Sequence, residues 1–92
     1  PNNQPPPPQE EVTVVNLEVD FDGTPLWNGS PVPNRAQLQK YFTDIAAQIN
    51  QPEVHLRPNR LAKYSAVARV LADAQRIGVK KIGFVGNDQY VE

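Results

Sequence analysis

The stretch VHLRPNRLAKYSAVARVLADAQRIGVKKIGFVG, residues 54–86, decides the fold. Val54 and Leu56 alternate with His55 and Arg57, which is the period of a strand with one covered face. From Pro58-Asn59 to Arg76 the period changes: Tyr64, Val67, Val70, Leu71 and Ala74 recur at helical spacing and are expected to point inward. Gly78 supplies the left-handed residue that commonly ends a helix, with Arg76 close to the negative helix end. KKIGFVG then reads as a compact strand. Strand, helix and strand in this order make a parallel pair joined by a right-handed crossover.

Upstream, Pro52 closes an earlier helix whose N-cap is Asn34, with Gln37 three residues on as a capping-box partner. Leu38, Tyr41, Phe42, Ile45, Ala46 and Ile49 form its apolar stripe, and Gln39, Lys40, Thr43, Asp44 and Gln48 face water. Before it, residues 12–21 alternate as a strand, with Val15, Leu17, Val19 and Phe21 on one face and Asn16, Glu18, Asp20 and Asp22 on the other. Asp22-Gly23 predicts a two-residue hairpin turn with positive φ at both positions. A short strand over residues 24–27 follows, and Pro25 marks it as lying at an edge or as having an open donor side. Asn28-Gly29 is a second turn signal. The order β-β-α-β-α-β, with one apolar face per helix, predicts a two-layer α+β domain. Both helices cover one face of a single mixed sheet, and the other face stays wet or meets a partner.

The first ten residues, PNNQPPPPQE, hold half of the ten prolines. Consecutive prolines favour polyproline II and cannot donate main-chain hydrogen bonds, so residues 1–11 are expected to be a disordered tether and residues 12–92 the folded domain. A formal net charge of −1 argues against a nucleic-acid partner, which would require a basic face. No apolar run approaches a membrane span, and the absence of cysteine removes disulfides and thiolate metal sites. The chain has no methionine and starts at Pro1, so it is expected to be a piece of a longer protein whose anchor or signal would lie upstream.

Glu18, Asp20, Asp22 and Gly23 match the opening of a calcium loop at positions one, three, five and six. Gly29 stands where the loop needs its bidentate glutamate, and Pro25 interrupts it, so no metal is expected. His55 is the only histidine, which excludes catalytic triads and multi-histidine metal sites; neither a catalytic residue nor a cofactor is expected. The glycines of GVKKIGFVG surround a strand rather than precede a helix, so they form no phosphate loop. Arg57, Arg60 and Lys63 are candidates for an anion or glycan contact near a helix N-terminus. Trp27 and Tyr90 are each either a lid on the core or an exposed anchor. The last strand, from Lys81 through Ile82, Gly83 and Phe84 to Val85, and the tail with Asn87, Tyr90 and Val91 are the candidate partner-binding surface. An open sheet edge accepts an added strand through its main-chain groups.

Residues 54–86 resemble the C-terminal half of the ExbD/TolR periplasmic domains: a strand ending in Arg57, a helix with Tyr64 near its start, a stop at Gly78, then Lys81 through Val85. VDFDGTPLWNGSPV is similar to the family's N-terminal hairpin, the proline-rich start to its linker, and the KIGFVG ending favours ExbD. The resemblance implies the periplasmic domain of a single-pass inner-membrane protein in a proton-driven motor. Its implied partners are a second copy of itself, ExbB through an absent transmembrane helix that carries the proton-handling aspartate, a TonB segment and, in the TolR manner, peptidoglycan. The implied role is energy transfer for outer-membrane uptake of siderophores and cobalamin. Asn59 stands where many relatives carry an acid, which puts a role for charge there in doubt. A peptidoglycan anchor and a generic α+β interaction domain stay open as alternatives.

Overall fold

The computed structural model describes residues 13–85; the tether expected over residues 1–11 and the tail positions Asn87, Tyr90 and Val91 lie outside them. The elements are β1 (Val14–Val19), β2 (Pro25–Trp27), β3 (Ser30–Pro31), α1 (Arg35–Ala46), β4 (Glu53–Pro58), α2 (Tyr64–Ile77) and β5 (Ile82–Phe84). They build one sheet in the order β3-β2-β1-β4-β5, with β1–β2 and β2–β3 antiparallel and β1–β4 and β4–β5 parallel. The two-layer α+β architecture with a single mixed sheet is present. The element missing from the sequence reading is β3, whose two residues are too few to show a period.

The hairpin loops exchange roles relative to expectation. Asn28 and Gly29 have φ of 51° and 90°, so they are the two-residue loop with two left-handed positions, closing Trp27 onto Ser30. At the earlier turn only Gly23 has positive φ. The Gly23 N–H donates to the Asp20 carbonyl (2.9 Å) and the Asp20 N–H to the Thr24 carbonyl (2.8 Å), which makes a three-residue loop closed by a glycine bulge. The longer loop carries Phe21 out of the strand, so this residue, expected inward, is exposed. Asp22 accepts from the Thr24 N–H at 3.0 Å, and that bond holds its carboxyl below the usual range. Pro25 lies inside the sheet, between β1 and β3; it is tolerated because it opens the strand, where no ladder N–H is needed.

One face of the sheet is packed. Val15, Leu17, Val19, Val54 and Leu56 meet Leu38, Phe42 and Ile45 of α1 and Val67, Val70 and Ala74 of α2. Trp27 is half-buried as a lid, its ring 4.8 Å from Tyr41 and 5.9 Å from Phe42. The Asn34 side chain accepts from the Gln37 N–H at 2.8 Å and caps α1. Gly78, at φ 116°, ends α2 with two N–H groups (its own and that of Val79) on the Ala74 carbonyl. Two stripe assignments are corrected. Helix α1 stops at Ala46, leaving Ile49 98% exposed. Helix α2 begins at Tyr64 rather than at Pro58-Asn59, because β4 runs to Pro58 and Asn59 turns the chain by accepting from the Leu61 N–H at 2.8 Å. Tyr64 is therefore in the first turn and 81% exposed.

Two buried polar residues hold the layers in place. Asp73 lies on the inner face of α2, its side chain 1% exposed. It accepts two bonds at 2.8 Å from Arg35, at the start of α1, and one at 2.8 Å from Arg76. Hydrogen bonds from Arg35 lead the effects that keep its carboxyl below the ordinary range, against burial, which pushes the other way. Gln51 donates to the Gly78 carbonyl (3.0 Å) and accepts from the Lys80 N–H (2.8 Å). It ties the entry to β4 to the segment that delivers β5.

Candidate functional site

The candidate site is the outer edge of β5. In a parallel pair, successive residues of a strand direct their main-chain groups alternately to its two neighbours. The Val54 N–H donates to the Lys81 carbonyl at 2.8 Å and the Val85 N–H to the Leu56 carbonyl at 3.1 Å. With Val54 opposite Ile82 and Leu56 opposite Phe84, residues 81, 83 and 85 therefore serve β4. Ile82 and Phe84 turn their N–H and carbonyl groups outward, and among the described residues no strand pairs with that side. The opposite sheet edge is β3, only two residues long and half proline, so it offers little to an incoming strand.

Both faces beside the β5 edge are open. On the wet face, Gly83 lies opposite His55, and a Cβ added at Gly83 would meet nothing within 4 Å. A glycine with free space around it leaves room for another backbone to approach. His55 accompanies Glu53 (Nε2 to Oε1, 3.0 Å) on that face, in the phase expected from the alternation. On the helix face, Phe84 is 47% exposed and borders a hollow of about 310 Å³ with Pro58, Ala62, Tyr64 and Val67. Leu61, in the loop before α2, is 70% exposed.

The candidate cations divide. Arg57 lies opposite Glu18 on the wet face and reaches the Asn16 side chain at 3.4 Å. Arg60 lines the hollow beside Phe84, and Lys63 occupies the N-cap position of α2 without capping it through its side chain. The hollows that Arg57 lines are separate from the one that Arg60 lines, and Lys63 lines none of them. Lys80 and Lys81 stand exposed at the other end of β5. Among the described residues, no group of three acidic or histidine side chains is placed to hold a metal ion. Asp73 and Gln51 escape sequence reasoning, although Asp73 carries a signal, being a carboxylate three residues after Val70 and next to Ala74 on the inward stripe.

The model of the biopolymer transport protein ExbD/TolR family matches residues 1–89. The chain is 39% identical over 85 residues to the biopolymer transport protein exbD2 of Xanthomonas campestris pv. campestris, covering 90% of this chain and 62% of that protein. It is 28% identical over 81 residues to biopolymer transport protein exbD1 of the same pathovar, covering 88% of this chain and 57% of that protein. The chain thus spans about three fifths of the length of these relatives.

Proposed function

The chain belongs to the ExbD/TolR family of biopolymer transport proteins, and on that premise we propose that it is the periplasmic domain of a membrane-anchored motor subunit of the ExbD kind. In this role it dimerises and takes up an extended TonB segment as an added strand. It thereby passes proton-motive force, delivered through ExbB and an upstream transmembrane helix, to outer-membrane transporters of siderophores and cobalamin. The observation that supports this most is the outward row of main-chain groups at Ile82 and Phe84, beside the open space at Gly83. Such a row gives an incoming strand affinity through its backbone and register through alternate side chains. The family is one of transport proteins rather than of enzymes. No helix among the described residues is long and apolar enough to cross a membrane.

The tail with Asn87, Tyr90 and Val91 completes this surface in the proposal. Deleting residues 87–92 is expected to abolish dimerisation, read as sedimentation mass. Binding itself is tested by calorimetric titration of the 92-residue chain with an extended periplasmic segment of TonB. Saturable one-to-one heat supports the proposal, and no heat up to millimolar segment opposes it.

A TolR-like peptidoglycan anchor is the second candidate, resting on Arg57, Arg60 and Lys63. Arg57 faces the side of Glu18 and Asn16, away from the hollow that Arg60 lines, so this role rests mainly on Arg60 and Lys63. Sedimentation with purified peptidoglycan, with and without those two charges, distinguishes it from TonB binding.

A further inference from the structure

The hollow at the end of β5 lies where a side chain of an added strand would land. Its apolar lining comes from three elements: Pro58 at the end of β4, Val67 and Tyr64 on α2, and Phe84 on β5. Closed cavities of about 150 Å³ admit a benzene ring, and this open one measures about 310 Å³, room for one aromatic or branched side chain. Its lining contains Arg60 and no carboxylate. Neither Arg60 nor Lys63 is in a salt bridge among the described residues. Lys80 and Lys81 repeat the positive charge at the other end of the strand.

We infer that this hollow is a side-chain acceptor that selects the added strand: it takes an apolar residue, preferably aromatic, beside Phe84 and a carboxylate two residues further towards Arg60 and Lys63. The inference rests on the strand-addition reading above and adds to it the identity of the segment. Residues two apart on a strand share a face and are about 6.6 Å apart. A side chain beside Phe84 is on the helix face and enters the hollow; the next one on that face reaches the 59–63 loop, where Arg60 and Lys63 stand. The occupant is an acidic, extended segment of another protein. The tail of a second copy contains Tyr90 and Glu92 at this spacing. Tyr90 is only five positions beyond Val85, however, a span of at most about 18 Å. That reach would bring the basic rims of two copies together, and like charges in proximity oppose the tail as occupant of this hollow, which does not bear on dimer contacts made elsewhere. A foreign acidic strand meets the same rim with attraction.

The test uses the whole 92-residue chain and a set of soluble ten-residue peptides with alternating threonine and valine, read by fluorescence anisotropy and by amide shifts at Ile82 and Phe84. One position carries Phe, Ala or Lys, and the position two residues away carries Glu or Lys. The Phe–Glu peptide is expected to bind about tenfold more tightly than the Ala–Glu and Phe–Lys peptides. The double charge reversal Arg60→Glu with Lys63→Glu is expected to invert the preference to Phe–Lys, an outcome that general loss of stability does not produce. Tyr64→Ala, at a largely exposed position, is expected to remove the preference for Phe while leaving the thermal midpoint unchanged. Binding at the Ile82 and Phe84 amides with no preference between peptides would overturn this inference and leave strand addition standing. Absence of any shift there would overturn both. If self-association that depends on Tyr90 and Glu92 fills the hollow and the peptides fail to compete, the occupant is the second copy and the inference falls.

Discussion

Two proline substitutions three positions apart should have opposite consequences, because the phase of β5 assigns their N–H groups to opposite sides. Ile82→Pro removes an outward N–H that no described strand uses and keeps every bond to β4. Its folding cost is the lost packing of a half-buried isoleucine, about 1 kcal/mol. Val85→Pro removes the N–H that donates to the Leu56 carbonyl at 3.1 Å. That carbonyl belongs to a fully buried residue, so its lost partner costs about 1–3 kcal/mol. Binding reverses the order. At position 82 proline deletes a donor and turns its ring towards the incoming strand, worth about 1.4 kcal/mol or more, hence at least about tenfold in affinity. At position 85 the outward row at Ile82 and Phe84 stays intact. Urea unfolding and calorimetric titration with a TonB segment measure both quantities on the same proteins. Unaltered affinity in Ile82→Pro would refute the outward assignment. A larger loss of stability in Ile82→Pro than in Val85→Pro would refute the phase itself.

Asp73 should make stability depend on acid. Its carboxyl is held below the ordinary value of 3.8 in the folded chain, so its contribution is complete above that value and is lost as pH falls through the lower, folded value. Since Arg35 and Arg76 are themselves half-exposed, Asp73→Asn is expected to cost about 2 kcal/mol at neutral pH and to flatten the acid limb of a urea-midpoint profile. Gln51→Ala leaves the Gly78 carbonyl and the Lys80 N–H without their partner; a loss of about 2 kcal/mol is expected, with faster amide exchange confined to residues 79–85. Phe42→Ala empties the centre of the core under Trp27 and is expected to cost about 3–5 kcal/mol in calorimetric unfolding, with loss of tryptophan ring-packing signals in near-ultraviolet dichroism.

The layers were legible because the two halves carry separate periods. Val54 and Leu56 alternate where Val67, Val70 and Ala74 recur at helical spacing, and both sets are buried. The turns were harder. Asp22-Gly23 and Asn28-Gly29 present the same kind of dipeptide, yet only the second closes a two-residue loop. The first lies beside Asp20, whose side chain accepts from the Phe21 N–H at 2.8 Å and favours a longer loop. Tyr64 and Ile49 were misplaced for one reason: a periodic pattern continues past the point where the helix starts or stops, and only local hydrogen bonding sets that point. Of the candidate site, the strand expected over Lys81 to Val85 is present as Ile82 to Phe84, but its free side depends on its pairing with β4, which no local pattern encodes. Arg57 was grouped with Arg60 and Lys63 by proximity in sequence. The end of β4 puts Arg57 on the wet face, while Arg60 lines the hollow beside Phe84.

Amide hydrogen exchange at β5, with and without a saturating TonB segment, tests strand addition most directly. In the free chain the Gly83 and Val85 amides are expected to be protected, and those of Ile82 and Phe84 to exchange rapidly. On binding, Ile82 and Phe84 should become protected while Ser30 at the β3 edge does not change. Protection that appears at β3, or binding that leaves Ile82 and Phe84 exchanging as before, would contradict the assignment of β5 as the receiving edge.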